Sequence, residues 1–191
     1  MGDVVAKTDY IMDVTAVLQK LEASSLAAGI RDSLYAFPLI ESVHVIGLTI
    51  VFGTIAIMDL RLLGLASARR PFTSVKRDIM PWTWMAFLLT LTTGFLMFIT
   101  NAPVYYSNFQ FRAKMGLILL SGINMLVFEL GAGRTAHRWD DSSSPPGSAK
   151  LAGALSLLLW IGVIFMGRWV GFTSTRNVEP APDVNLEDLF K

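Results

Sequence analysis

The stretch FPLIESVHVIGLTIVFGTIAIM, residues 37–58, decides the fold of this chain. Its ionisable residues are Glu41 and His44, and the other positions are apolar or small. About 20 mostly apolar residues suffice for a helix to cross the hydrocarbon core of a bilayer. The stretch is too long for a strand and too uniformly apolar for a surface helix of a soluble protein. It therefore predicts a transmembrane helix.

Three further stretches have the same character, at residues 82–100, 113–132 and 151–172. Only helices and closed barrels satisfy their backbone hydrogen bonds inside a bilayer, and barrel strands would alternate in polarity, as these stretches do not. Charged residues make up 16 % of the chain, against about 25 % in soluble domains. We therefore predict an all-α membrane protein in which residues 37–172 form a bundle of four transmembrane helices.

The two ends of the chain differ from this bundle. Residues 13–24 can form an amphipathic helix with Asp13 as N-cap, and its stripe can continue to Leu34 with a weak point at Gly29. We predict that residues 1–36 form an arm on the outer membrane surface. An arm that packs on the bundle or on a partner is an equal alternative. Residues 173–191 contain prolines and acids, which predict an extended tail. The N-terminal segment lacks an apolar run of signal length, so the first span should stay in the mature protein.

Basic residues predict the orientation of the bundle. They concentrate in the first and third connectors and the adjoining helix ends, whereas the second connector and its flank hold Arg112 and Lys114. Short cytoplasmic loops are enriched in Lys and Arg. We therefore expect both termini on the periplasmic side of a bacterial inner membrane.

Ionisable side chains converge in the predicted outer half of the bundle. Glu41 and His44 share a face of the first helix, Lys114 lies near the depth of His44, and Arg168 lies near the level of Glu41. Such groups tend to face the bundle interior and to mark function. We predict that these four residues, with Trp160, line a ligand or cofactor site. The alternative is structural: the two cations extend to the headgroups, and Glu41 neutralises Arg168.

A second set of charges lies at the predicted cytoplasmic end: Asp59 and Arg61 on the first helix, and Glu129 and Arg134 on the third. Opposite charges at one depth can join adjacent helix ends, so we predict structural ion pairs among these four. Asn124 lies near mid-membrane and should form a hydrogen bond to a neighbouring helix.

The cofactor chemistry is restricted by composition. The chain has no cysteine and two histidines, His44 and His137, which the predicted topology separates by most of the membrane. No metal site is predicted. Haem b held by His44 with Met115 or Met166, or a quinone beside His44, remains open as a cofactor.

A family resemblance supports this architecture. LIESVHVIGLTIVFGTIAIMDLRLLGL (39–65), TGFLMF (93–98), YYSNFQFRAK (105–114) and LSLLLWIGVIFMGRWVGF (155–172) resemble a bacterial family of four-span membrane proteins known only as a domain of unknown function. The resemblance implies the fold and no activity. A looser resemblance, through the spacing of His44, Gly47 and Gly53, is to four-helix cytochromes and copper-resistance membrane proteins.

Three functions are compatible with these features. The preferred one is a non-catalytic accessory subunit of a larger bacterial membrane complex, in contact with lipid and with other subunits or copies of itself. The alternative is a small electron-transfer or quinone- or haem-binding protein that uses the pocket around His44. A transporter would need to oligomerise, because the four spans show no repeat. The sequence offers no nucleophile–base motif or phosphate loop to indicate an enzyme, and a net charge of +1 does not suggest nucleic acid.

Overall fold

The computed structural model describes residues 13–66, 70–140 and 145–174, and this part of the chain is almost entirely helical. Residues 13–22 are helical (α1), and the helices that follow are α2 (Ser25–Asp32), α3 (Ala36–Leu63), α4 (Phe72–Ile99), α5 (Ala102–Ser107), α6 (Phe109–Leu130), α7 (Ala136–Trp139, after a 3₁₀ turn at Ala132–Thr135) and α8 (Gly147–Ser174). Four of them, α3, α4, α6 with its extension, and α8, are long and apolar enough to cross a membrane. The predicted all-α class and four spans are confirmed.

The four long helices form an open bundle. α3 packs against α4 and α8, and α6 packs against α8, whereas α4 and α6 make few close approaches. Glycines permit close crossings: a Cβ on Gly47 would lie 2.5 Å from Thr90 Oγ1, and a Cβ on Gly153 would lie 3.0 Å from the carbonyl oxygen of Asp59. We call the end of the bundle that contains Glu41 and Arg168 the upper end, and the end that contains Arg61 and Asp140 the lower end.

At the lower end the helices extend beyond the predicted spans. Phe72, at the start of α4, is buried and its ring meets Phe128 and Trp139 at centroid distances of 5.7 and 5.4 Å. Because this aromatic packing stabilises an additional length of helix, α4 begins directly after Pro71. Pro81 therefore lies inside α4 rather than at its start.

At the upper end the N-terminal arm packs on the bundle. Arg31 donates from Nη1 to the carbonyl oxygens of Glu22 and Thr100, both at 2.9 Å, and Ile30 is buried. The helix breaks at residues 23–24, where the Ser24 hydroxyl caps α2, and Gly29 lies within α2. The predicted weak point at Gly29 is therefore wrong, because the cap starts a new helix earlier. Residues 1–12 and the predicted tail at 175–191 lie outside the described residues.

Candidate functional site

The predicted outer group lines one cavity at the upper end. Glu41, His44, Lys114 and Arg168 contribute to the wall of a cavity of about 640 Å³, which we call the upper cavity. This volume lies within the range of about 300–1,000 Å³ typical of small-molecule sites. α3, α4, α5, α6 and α8 all supply lining residues. The site therefore depends on helices that are distant in sequence.

His44 is oriented by a threonine of the neighbouring helix. Its Nδ1 lies 3.1 Å from Oγ1 of Thr93, whose hydroxyl already donates to the Leu89 carbonyl oxygen at 2.7 Å. Because a hydroxyl has one proton, Nδ1–H is assigned as the donor to Thr93. This tautomer leaves Nε2 as an acceptor. His44 thus has a polar partner on α4.

Gly94 makes room for the His44 ring. A Cβ at this position would lie 2.9 Å from Cε1 of His44, closer than side-chain carbons approach in proteins. The imidazole therefore packs directly on the backbone of α4. Sequence reasoning did not include Thr93 or Gly94 in the site, although both lie in the quoted TGFLMF stretch.

The charged residues of the upper cavity do not neutralise one another. Within the described ranges, the ion pairs join Arg70 to Asp78 and Lys76 to Glu129, and neither includes Glu41, Lys114 or Arg168. The aliphatic part of Lys114 runs past Gly167, where a Cβ would lie 3.7 Å from its Nζ. In the described ranges, no ion pair joins Glu41 to Arg168. The upper cavity has two cations without a carboxylate partner in the described part of the chain.

Aromatic rings form one wall of the upper cavity. Phe98 stacks on Phe111 with centroids 5.4 Å apart, and Tyr105 packs within 6.4 Å of Phe98 and 5.8 Å of Phe111. Burial raises the pKa of the Tyr105 phenol, and the negative charge of Glu41 raises it further. Tyr105 thus remains a neutral hydrogen-bond donor at physiological pH. The cavity combines a flat aromatic wall with hydrogen-bond donors and hydrogen-bond acceptors.

Trp160 belongs to a different part of the bundle. Its side chain is 8 % exposed and packs with Val51, Ala86 and Val163 in an apolar cluster below the upper cavity. Trp160 precedes Arg168 by eight residues, which is about 12 Å of helix, so it cannot reach the same level. It lines a second, smaller cavity nearer the lower end. Trp160 therefore does not line the upper cavity with the other four predicted residues.

The charges at the lower end have partners that differ from the predicted ones. Glu129 pairs with Lys76 of α4 rather than with Arg134. Arg61 donates to the backbone carbonyl oxygens of Arg70 and Asp140, at 2.8 and 3.1 Å. The partners follow from the directions in which the side chains point. Glu129 points from α6 towards α4, and the Arg61 side chain extends from the end of α3 to the two lower connectors. Asn124 donates to the Ala152 carbonyl oxygen at 2.9 Å, which confirms its predicted bond to a neighbouring helix.

The groups that line the upper cavity limit which ligands it can hold. In the described ranges His44 is the one imidazole that lines the cavity, and Met97 lines it as well, whereas Met115 and Met166 do not. No group of three His, Asp or Glu side chains in that part of the chain could hold a metal ion. A ring with oxygen substituents, by contrast, finds donors, an acceptor and an aromatic surface in the same cavity.

Four long apolar helices around partly polar cavities define a multi-pass integral membrane protein. The chain belongs to a family of unknown function, DUF6644, whose model matches residues 26–173. No curated protein and no solved structure matches the chain. The predicted membership of a domain family of unknown function is confirmed, whereas the looser resemblance to cytochromes and copper-resistance proteins gains no support.

Proposed function

We propose that this protein is a non-catalytic subunit of a larger membrane assembly, and that it binds a lipid-soluble quinone in the upper cavity. The observation that carries the proposal is the convergence of Glu41, His44, Lys114 and Arg168, unpaired with one another, on a cavity of about 640 Å³. A dry, closely packed cluster would have indicated a structural role. An open cavity with charged walls indicates a ligand.

Quinone chemistry matches the groups that face the upper cavity. The Lys114 ammonium and the Tyr105 phenol can donate hydrogen bonds to carbonyl oxygens, and Nε2 of His44 can accept from the hydroxyl of the reduced form. The ring can lie against Phe98 and Phe111, since flat aromatic surfaces stack favourably. Leu48 and Phe52 line the side of the cavity towards the membrane centre, where they can pack against the isoprenoid chain of a quinone.

The face of α6 that points away from the bundle supports the role as a subunit. α8 is the long helix against which α6 packs, and within α6 the buried residues are Ser121 and Phe128. Helices of a closed four-helix bundle normally contact two neighbours. The opposite face is continuously apolar: Leu119, Leu120, Ile123, Leu126, Val127 and Leu130 are exposed. We propose that a transmembrane helix of a larger partner covers this face.

One purification tests both parts of this proposal. The protein is extracted from native membranes with a mild detergent, and its subunits, lipids and visible spectrum are analysed. We expect about one quinone per chain by mass spectrometry and a second membrane protein at constant stoichiometry. A Soret band would indicate haem instead of quinone, and phospholipid as the sole bound molecule would overturn the quinone proposal. A homogeneous preparation of this chain alone would overturn the partner proposal.

We further propose that the lower end faces the cytoplasm of a bacterial cell and that the membrane is the inner one. The support is the basic content of the lower connectors and the neighbouring helix ends, which include Arg61, Arg70, Lys76 and Arg77. In this orientation the upper cavity lies in the periplasmic half of the bilayer.

Single cysteines can test the orientation, because the natural sequence has none. Ser107→Cys lies on α5 at the upper end and Ser148→Cys at the start of α8 at the lower end, and both serines are exposed. In intact cells with a permeabilised outer membrane, an impermeant maleimide should label Ser107→Cys and spare Ser148→Cys. Lysis should make the second site reactive. The reverse labelling pattern would invert the topology.

A further inference from the structure

The second cavity lies between the four long helices nearer the lower end. It has a volume of about 200 Å³, and we call it the lower cavity. Its wall is mainly apolar and includes four aromatic side chains, those of Trp84, Phe87, Phe128 and Trp160. The apolar cluster around Val51 and Val163 lies between this space and the upper cavity. The two cavities are therefore separate sites, and the quinone proposal does not involve the lower one.

A buried acid, Asp59, forms part of the wall of the lower cavity. Asp59 is 6 % exposed, and its Oδ2 is fully enclosed with no hydrogen-bond partner in the described part of the chain. Ser156 of α8 lies in the wall of the same cavity. The two ion pairs found in the described ranges, Arg70–Asp78 and Lys76–Glu129, do not include Asp59. In the described ranges, Asp59 therefore forms none of the structural ion pairs predicted for it.

An ionised carboxylate without a partner is costly in apolar surroundings, so Asp59 needs a proton, a cation or a hydrogen-bond donor there. The faces of Trp and Phe rings also attract cations when the charge lies within about 6 Å of the ring centroid. Trp84 and Trp160 line the same small cavity as Asp59. The combination of one acid, aromatic faces and hydrocarbon walls favours an organic ammonium over a hydrated metal ion, which would need several oxygen ligands.

The opening between α4 and α6 gives such a ligand a route from the bilayer. These helices make few close approaches, and Gly122 of α6 lines the cavity with open space where a Cβ would point. The volume of about 200 Å³ limits the ligand to a small molecule. We propose that the lower cavity is a binding site for a small lipophilic ammonium compound, with Asp59 as the anion that recognises it.

Cyclohexylamine, which is cationic at neutral pH, is a suitable probe of the purified full-length protein. Binding should change the tryptophan fluorescence and raise the midpoint of thermal unfolding, because a ligand that binds the folded state stabilises it. Methylcyclohexane has nearly the same shape without the charge and should bind at least tenfold more weakly. Trp84→Phe should reduce the fluorescence change. Equal responses to amine and hydrocarbon would overturn the proposal.

Two variants test the roles of the acid and of the space. Asp59→Asn should weaken cyclohexylamine binding at least tenfold, whereas Asp78→Asn, which alters an exposed acid at the same end, should leave it unchanged. Gly122→Leu should also abolish binding, because Gly122 lines the cavity and a Cβ there meets no atom within 4 Å, so a larger side chain can occupy this space. This variant keeps the test decisive if Asp59→Asn does not fold. Unchanged affinity in either Asp59→Asn or Gly122→Leu would overturn the proposal.

Discussion

Lys114→Met should weaken the binding of decylubiquinone at least tenfold and at the same time stabilise the ligand-free protein. Lys114 lines the upper cavity and has no carboxylate partner in the described residues, so its charge serves a ligand rather than the fold. A tenfold loss corresponds to about 1.4 kcal/mol of binding free energy. Removing an unpaired, partly buried cation should raise the free energy of unfolding by about 1 kcal/mol.

Matched variants isolate the upper cavity from general effects. Arg112→Met changes an exposed cation on the same helix that does not line the cavity, and it should retain wild-type affinity. His44→Leu should weaken binding, because it removes the Nε2 acceptor, whereas His137→Leu at the lower end should not. Affinity is measured by titration in detergent and stability by unfolding in mixed micelles. Retained affinity together with lower stability in Lys114→Met would show that Lys114 is a structural anchor.

Arg61→Met should lower the free energy of unfolding by about 3–5 kcal/mol. The guanidinium is fully buried and donates to carbonyl oxygens in both lower connectors, those of Arg70 and Asp140. Hydrogen bonds from a charged donor contribute about 1.5–3 kcal/mol each, and methionine would leave both carbonyl groups without this partner. The loss should appear as a lower midpoint in reversible unfolding followed by circular dichroism.

The control for Arg61 is a neighbouring arginine in an exposed ion pair. Arg70 donates to Asp78 at 2.7 Å, but the two side chains are 58 % and 49 % exposed, so water competes for both. Arg70→Met should therefore change the free energy of unfolding by no more than about 0.5 kcal/mol. Similar losses in the two variants would mean that Arg61 is not the side chain that joins α3 to the lower connectors.

The sequence by itself determined the membrane class, the four spans and the depth of the polar residues. The length and uniform apolarity of the four stretches suffice to predict the spans, because the bilayer core permits few backbone structures. The rise per residue of a helix then converts residue number into depth. For the same reason Glu41, His44, Lys114 and Arg168 could be assigned to one level, and Asn124 to a contact with a neighbouring helix.

Only the tertiary structure decided which side chains meet at each level. Depth does not fix the rotation of a helix about its axis, so the sequence could not show that Glu129 turns towards Lys76 or that Asp59 lines a cavity. The sequence analysis also grouped Trp160 with the residues of the upper cavity. A tryptophan in a span can line a cavity or pack in the apolar core beside it, and the sequence does not distinguish the two. Whether charged groups enclose space or pack closely depends on the distances between helices, which the close crossings at Gly47 and Gly153 set.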